Sequence, residues 1–182
     1  NRAAGIVVGK LGTSTISTKE LFLERNLYEN KIINLSKLKE LVINYKEKNI
    51  KVGFTNGCFD ILHYGHVKYL ESSKKLCDIL VVGLNSDQSV KKIKGIDRPI
   101  NSEQNRAQLL AALNFCDHVV LFNEKTPLNL IKSLKPEVLT KGADYKKSDI
   151  VGAKEVESWN GRVYIIKLVE DLSTSKIIEK IK

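Results

Sequence analysis

From residue 50 onward the chain repeats one pattern: a short apolar run, a turn, and then a stretch of about ten residues with hydrophobic side chains at helical spacing. The apolar runs are IKVGFTN (50–56), DILVVGLN (78–85), CDHVVLF (116–122), PEVLTKG (136–142) and GRVYIIKLV (161–169). Between them lie the helical stretches HVKYLESSKK, NSEQNRAQLLAALNF, PLNLIKSL and SDIVGAKEVES, and STSKIIEKIK follows the last run. Residues 86–99 form a polar segment. Strands buried on both faces are apolar almost throughout, and their regular alternation with helices predicts a parallel sheet covered on both sides. The expectation is a doubly wound α/β fold of about five strands. Ahead of it, residues 35–48 place Leu35, Leu38, Leu41, Val42 and Tyr45 on one helical stripe among lysines and glutamates. That is an amphipathic helix lying on something.

A length of 182 residues accommodates one full domain of this kind and little else. No apolar run approaches the ~20 residues that span a bilayer, and the opening NRAAGIVVGKLGTS is too broken by glycine to act as a secretory leader. Cys58, Cys77 and Cys116 form an odd set without a C-x-x-C pair, so reduced thiols in a cytoplasmic protein are expected rather than a disulfide framework or metal site. The absence of methionine and the start at Asn1 lead us to expect a piece of a longer chain. Net charge is +9, spread as +4 over residues 1–50 and +5 over the remainder, with one basic cluster at KKIKGIDR. A pocket for a polyanionic small molecule accounts for that excess as well as a nucleic-acid surface does, and no RGG segment, zinc knuckle or long basic run is present.

One connection carries chemistry. In TNGCFDILHYGHVKYLE (55–71) a strand ends in Asn-Gly and the next helix opens with His63 and His66, three residues apart. Ligands of open parallel sheets bind beyond the C-terminal strand ends, where helix N-termini offer N–H groups and the positive end of the dipole to anions. Two imidazoles on one face of a first helical turn suit a phosphate. Gly57 allows a tight turn or a close approach to a ligand, and Gly65 keeps the face between the histidines open. Asp60 is the acidic residue within the turn, and Cys58 at the helix approach is read as packing rather than as a nucleophile.

GCFDILHYGH resembles the H-x-G-H turn of the nucleotidyltransferase superfamily, which implies a Rossmann-like fold binding a nucleoside triphosphate across this loop and helix. Class I aminoacyl-tRNA synthetases share such a motif, but 182 residues leave no room for their anticodon-binding parts. Four further blocks, NSDQSVKKIKGIDRPIN (85–101), TPLNLIKSLKPEVLTKGADY (126–145), GAKEV (152–156) and LSTSKII (172–178), are similar to the adenylyltransferase domain of the bifunctional heptose-7-phosphate kinase and heptose-1-phosphate adenylyltransferase family. AAGIVVGKLGTSTIS (3–17) resembles the closing segment of that family's sugar-kinase half. The implied organisation is a kinase remnant over 1–33, a linker helix over 34–49 and a nucleotidyltransferase domain over 50–182.

The resemblance implies transfer of AMP from ATP to D-glycero-D-manno-heptose 1-phosphate, releasing pyrophosphate and forming ADP-heptose for the lipopolysaccharide core. It assigns His63, His66 and Lys141 to catalysis. Thr55, Asn56, Gly57 and Phe59 are expected along the nucleotide, Arg106 near a phosphate or a carboxylate, and Ser173, Thr174 and Ser175 at the outer phosphates. Ser175 departs from the family's Ser-Thr-Thr but keeps a hydroxyl, and Cys77 replaces a family glycine. Roles for Lys75, Lys94, Arg98 and Asp144 stay open. Mg²⁺ is expected with ATP, with no protein ligand named. The expected partners are the two small substrates and a kinase domain in the full-length chain, without nucleic acid or membrane; a homodimer is compatible with the resemblance. The competing readings are a cytidylyltransferase acting on glycerol 3-phosphate or a similar alcohol phosphate, and a non-catalytic nucleic-acid-binding module.

Overall fold

The computed structural model describes residues 29–142, 149–167, 174, 177 and 178. The head over 1–28 and most of the expected last helix lie outside the described residues. Each expected strand forms: β1 (Val52–Gly57), β2 (Ile79–Asn85), β3 (His118–Phe122), β4 (Val138–Gly142) and β5 (Arg162–Ile166). The helices are α1 (Leu35–Glu47), α2 (Tyr64–Lys74), α3 (Asp87–Lys94), α4 (Glu103–Ala111), α5 (Leu128–Leu134) and α6 (Ala153–Ser158).

All strands are parallel and stand in the order β3-β2-β1-β4-β5. The chain moves outward from β1 to β3, crosses back through α5, and resumes on the other side of β1 with β4. The direction of winding therefore reverses between β1 and β4, where Phe54 sits opposite Val81 on one side and Leu139 on the other. Successive β2 residues face opposite layers. Leu80, Val82 and Leu84 pack with Tyr69 and Leu70 of α2 and Ala107, Leu110 and Ala111 of α4. Val81 faces the second layer, with Leu38 and Val42 of α1, Leu130, Ile131 and Leu134 of α5, and Val156 of α6. This is the doubly wound Rossmann-like arrangement expected from the apolar runs.

The helix expected as a linker contributes to the core: Leu38 is fully buried and Val42 nearly so, and Tyr45 donates or accepts a 2.9 Å hydrogen bond with His118 Nε2 at the start of β3. Asn34 caps α1 by accepting from the Lys37 N–H. Just before it, Ile32 pairs in parallel with Val119 along the outer side of β3.

Two local differences have clear causes. The segment 86–99, read only as polar, contains α3, started by the Ser86 side chain accepting from the Ser89 N–H. Its buried side is narrow: Ser89 and Val90 are buried, while Ile93 stays 43% exposed. The stretch expected as a helix from residue 148 is helical only from Ala153, because Gly152 takes a φ of +87° at its start. A Cβ at Gly152 would come within 2.5 Å of Ile131 Cδ1, so the glycine also brings α6 close to α5.

If α1 belongs to the cooperative unit, Leu38→Ala loses about 2–5 kcal/mol for a buried leucine. Urea unfolding followed by Trp159 fluorescence measures it, and an unchanged midpoint would separate α1 from the domain core.

Candidate active site

β1 delivers Asn56 and Gly57 to the edge of the sheet, and residues 58–63 turn the chain into α2. Gly57 is required by packing rather than by its torsion angles: a Cβ there would lie 2.9 Å from Phe59 Cε2. Phe59 holds a φ of +46° and folds its ring back beneath the turn, with 5% of its surface exposed. Its ring meets His66 edge-on, with centroids 5.2 Å apart. His63 is the N-cap of α2 but forms no side-chain cap; its carbonyl instead accepts from the N–H groups of His66 at 2.9 Å and Val67 at 3.2 Å. The imidazole is thereby left for the cleft. The rings of His63 and His66 stack at 3.8 Å with an interplanar angle of 25°. Both Nδ1 atoms are buried without a hydrogen-bond partner among the described residues.

Burial lowers the pKa of His66 from the ordinary 6.5 to about 4, with proximity to His63 acting in the same direction and a hydrogen bond to the Ile61 backbone opposing. Burial also lowers that of His63. At neutral pH both rings are neutral with one N–H each, and that of His66 is directed at the Ile61 carbonyl, so His66 donates to a phosphate by taking up a proton or releasing that bond. A phosphate drawn against them would favour protonation of one ring.

Lys141 closes the cleft from the other side of the reversal. It ends β4 beside β1, and its Nζ donates to Asn56 Oδ1 at 2.8 Å and more weakly to the Asn56 carbonyl at 3.4 Å. Burial brings its pKa down to about 8. A partly desolvated ammonium of this kind gains most when an anion arrives. The cleft between these groups has a volume of about 460 Å³, and its lining includes Asn56–Asp60, Asn85, Lys94, Lys125, Gly142 and Asp149. That lies within the range of small-molecule sites.

The remaining expected residues divide. Asn56, Gly57, Phe59, His63, His66, Lys141 and Thr174 all line the cleft, as do Cys58, Asp60, Lys94 and Arg98. Thr55 does not reach it; it is fully buried and its hydroxyl is bonded to Tyr69 at 2.7 Å. Arg106, expected near a phosphate or a carboxylate, is completely buried and occupied by protein groups. Its guanidinium donates to the carbonyls of Asn101, Cys58 and Asn85 and to Asp87 Oδ1, all within 3.0 Å. Of the two alternatives the carboxylate is the one formed, and Arg106 serves as a brace rather than a nucleotide contact. Asp60, 2% exposed, accepts from Arg98 Nε and the N–H groups of Ile100 and Asn101, so the Arg98 charge is balanced internally. Burial raises the pKa of the Cys58 thiol, which suits packing rather than a nucleophile. Lys75 is exposed on the far end of α2, paired with Glu71 at 3.6 Å. Thr174 donates to the Ile61 carbonyl at 3.4 Å, while Ser173, Ser175 and Asp144 lie outside the described residues. Sequence reasoning missed Asn85, Tyr69, Lys125, Thr126 and Asp149 in the lining. Lys125 and Thr126 follow the end of β3, and the rule that strand ends bear ligands was available to find them.

The pattern defining the cytidylyltransferase-like family matches residues 54–180. The chain belongs to this family. As a cytidylyltransferase-like domain it is 54% identical over its whole length to the bifunctional protein HldE of Campylobacter jejuni subsp. doylei, and 50% identical to that of Geotalea uraniireducens. The chain spans 38% of the length of those relatives. Among solved structures, the lipopolysaccharide core biosynthesis protein of Thermoplasma volcanium superposes with a TM-score of 0.55 at 30% identity, over 66% of this chain and 97% of that one. The pantoate-beta-alanine ligase of Francisella tularensis gives a TM-score of 0.56 at 18% identity over 82% of this chain and 77% of its own, a likeness of fold alone.

The depressed His66 pKa makes the stability of this cytidylyltransferase-like domain depend on pH. Between pH 6.5 and about 4 the unfolded chain binds a proton at this position that the native state refuses. Its contribution is therefore fully present above pH 6.5 and is lost as pH falls through that window, to the extent of roughly 2 kcal/mol by pH 4.5. Urea titrations at pH 7.5 and 4.5 should show a correspondingly smaller drop for His66→Gln. Equal drops in both proteins would mean that His66 is not held neutral.

Proposed function

We propose that the domain transfers the adenylyl group of ATP to D-glycero-D-manno-heptose 1-phosphate, giving ADP-heptose and pyrophosphate for the lipopolysaccharide core. The observation that carries the reading is the pair of stacked imidazoles at the α2 N-terminus facing Lys141 across the reversal of the sheet. Identity of about half the residues to bifunctional HldE proteins along the whole chain supports the choice of reaction. So does the likeness to a lipopolysaccharide core biosynthesis protein.

In this reading the triphosphate lies over the first turn of α2. His63 and His66 donate N–H groups to its oxygens, His66 nearest the α-phosphate. Lys141 exchanges the weak dipole of Asn56 for a phosphate charge. The acceptor needs no general base, because its phosphate oxygen is already an anion. It attacks the α-phosphorus in line; the new P–O bond forms as the bond to pyrophosphate breaks, and the leaving group carries the electron pair away. The protein supplies placement and charge stabilisation, and no enzyme-bound covalent intermediate is required. Lys94 and Lys125 also line the cleft and fit the acceptor's phosphate. Thr174, with Ser173 and Ser175, would hold the outer phosphates. Among the described residues no three His, Cys, Asp or Glu side chains converge. Mg²⁺ accompanying ATP would then be held through phosphate oxygens and water, shielding the triphosphate charge. The full-length protein would be cytoplasmic and carry a sugar-kinase domain.

Pyrophosphate release measured with ATP against a panel of sugar 1-phosphates tests the assignment, with CTP and glycerol 3-phosphate run in parallel. ATP with heptose 1-phosphate should be the fastest pair. A strong preference for CTP would replace this reading with a cytidylyltransferase, the alternative to which the family description points. Salt-sensitive nucleic-acid binding without any transfer would replace both. His66→Ala should lower kcat about 10²-fold through loss of one preorganised donor while its circular dichroism stays native. Near-normal turnover would remove His66 from the chemistry.

A further inference from the structure

Beneath the floor of the cleft, four buried hydroxyls join the elements that carry the site. Tyr69 Oη and Thr55 Oγ1 are 2.7 Å apart, and Tyr69 Oη donates to Thr140 Oγ1 at 3.4 Å. Thr140 Oγ1 donates to Ser73 Oγ at 2.9 Å, and Ser73 Oγ donates to the Tyr69 carbonyl at 2.9 Å. Thr55, Ser73 and Thr140 are completely buried and Tyr69 is 6% exposed. Hydroxyls in such a place cost free energy unless each is paired, and these are paired with one another. Apolar side chains could fill the same volume without that requirement. What the hydroxyls add is direction: a hydrogen-bonded contact has a preferred geometry, whereas an apolar contact tolerates sliding.

The positions in the chain show what is being aligned. Thr55 directly precedes Asn56, Thr140 directly precedes Lys141, and Tyr69 lies one helical turn after His66. The phenol thus sits where β1, β4 and α2 meet. Tyr69 belongs to the cleft lining, and its hydroxyl is bonded to Thr55 and Thr140 within the protein. We propose that Tyr69 is a positioning residue for nucleotidyl transfer: its hydroxyl locks the first turns of α2 against β1 and β4, so that His66 and Lys141 converge on one phosphate. This rests on the reaction class proposed above but not on the identity of the acceptor. A misplacement near 1 Å can cost about 10²-fold in rate. Loosening one of several bonds should cost less.

Tyr69→Phe removes one oxygen and keeps the ring. The expected result is a fall in kcat of about tenfold with KM for ATP within about twofold of the parent, and a circular dichroism spectrum unchanged. Thr55→Val should produce the same loss. The Tyr69→Phe/Thr55→Val double variant should lose less than the product of the two single losses, because both changes remove the short Tyr69–Thr55 bond and differ only in the longer bonds each hydroxyl makes to Thr140. Thr140→Ser, which keeps the hydroxyl, should retain kcat, whereas Thr140→Val should not. A lower unfolding temperature with kcat unchanged at 15 °C would make the cluster purely structural and overturn the proposal. A raised KM for ATP at unchanged kcat would also overturn it, assigning the hydroxyl to the nucleotide itself. Should the wild-type chain prefer CTP and glycerol 3-phosphate, the same ratios are taken in that reaction, and only the acceptor assignment falls. A wild-type chain with no transfer in any combination overturns both readings.

Discussion

A single completely buried guanidinium holds the rim of this cleft together. Arg106 reaches from α4 to the carbonyls of Cys58, Asn85 and Asn101 and to the carboxylate of Asp87. Those acceptors follow β1, end β2, precede α4 and open α3. A buried cation is tolerable only when its donors are filled, and here the planar fork meets acceptors from four directions. The loop that carries Phe59 toward His66 is thereby fixed relative to β2 instead of being free at the sheet edge. Asp60 repeats the device with opposite sign, accepting from Arg98 and from two backbone N–H groups of the segment before α4. Arg106 and Asp60 are thus consumed in shaping the turn, which leaves the anion to be met by the imidazoles and Lys141.

The fold was legible because it depends on burial, and burial on two faces writes itself into the chain as uninterrupted runs such as DILVVGLN. The histidine turn was legible for a similar reason: nothing in a strand-to-helix connection calls for two imidazoles at that spacing. What could not be read was where each polar side chain points. Thr55 and Arg106 belong to segments that approach the cleft, yet both turn inward, and only the positions of Tyr69, Asn85 and Asp87 reveal why. Gly57 was read as a backbone device, but the space it leaves is taken by Phe59. Helix α3 escaped notice because its buried side is narrow, made by Ser89 and Val90. Lys125 stands on an exposed connection, where a lysine is indistinguishable from any solvated charge until the strand order brings it to the cleft.

Electrostatically the site is prepared rather than charged. Desolvation holds His66 neutral and weakens the hold of Lys141 on its proton, so both are in environments that an incoming polyanion improves. Such groups lose little hydration when the ligand arrives, because burial has already stripped it, and part of the cost of preorganisation is met by the fold. The stacked geometry adds a restriction. Two rings 3.8 Å apart cannot both carry charge without repulsion, so one proton shared with the ligand is the natural limit for the pair.

The short pairing of Ile32 with Val119 has a consequence for how the molecule keeps to itself. Ile33 donates its N–H to the Val119 carbonyl along the side of β3 that faces away from β2. An uncovered rim of a sheet is a template on which a neighbouring molecule can add a strand of its own. Residues 32 and 33 lie there like a seam, covering the rim near the start of β3 before α1 carries the chain away. Shortening the polypeptide past residue 33 would unstitch it, and the exposed ribbon would invite sticking between molecules even though every group in the cleft remained intact.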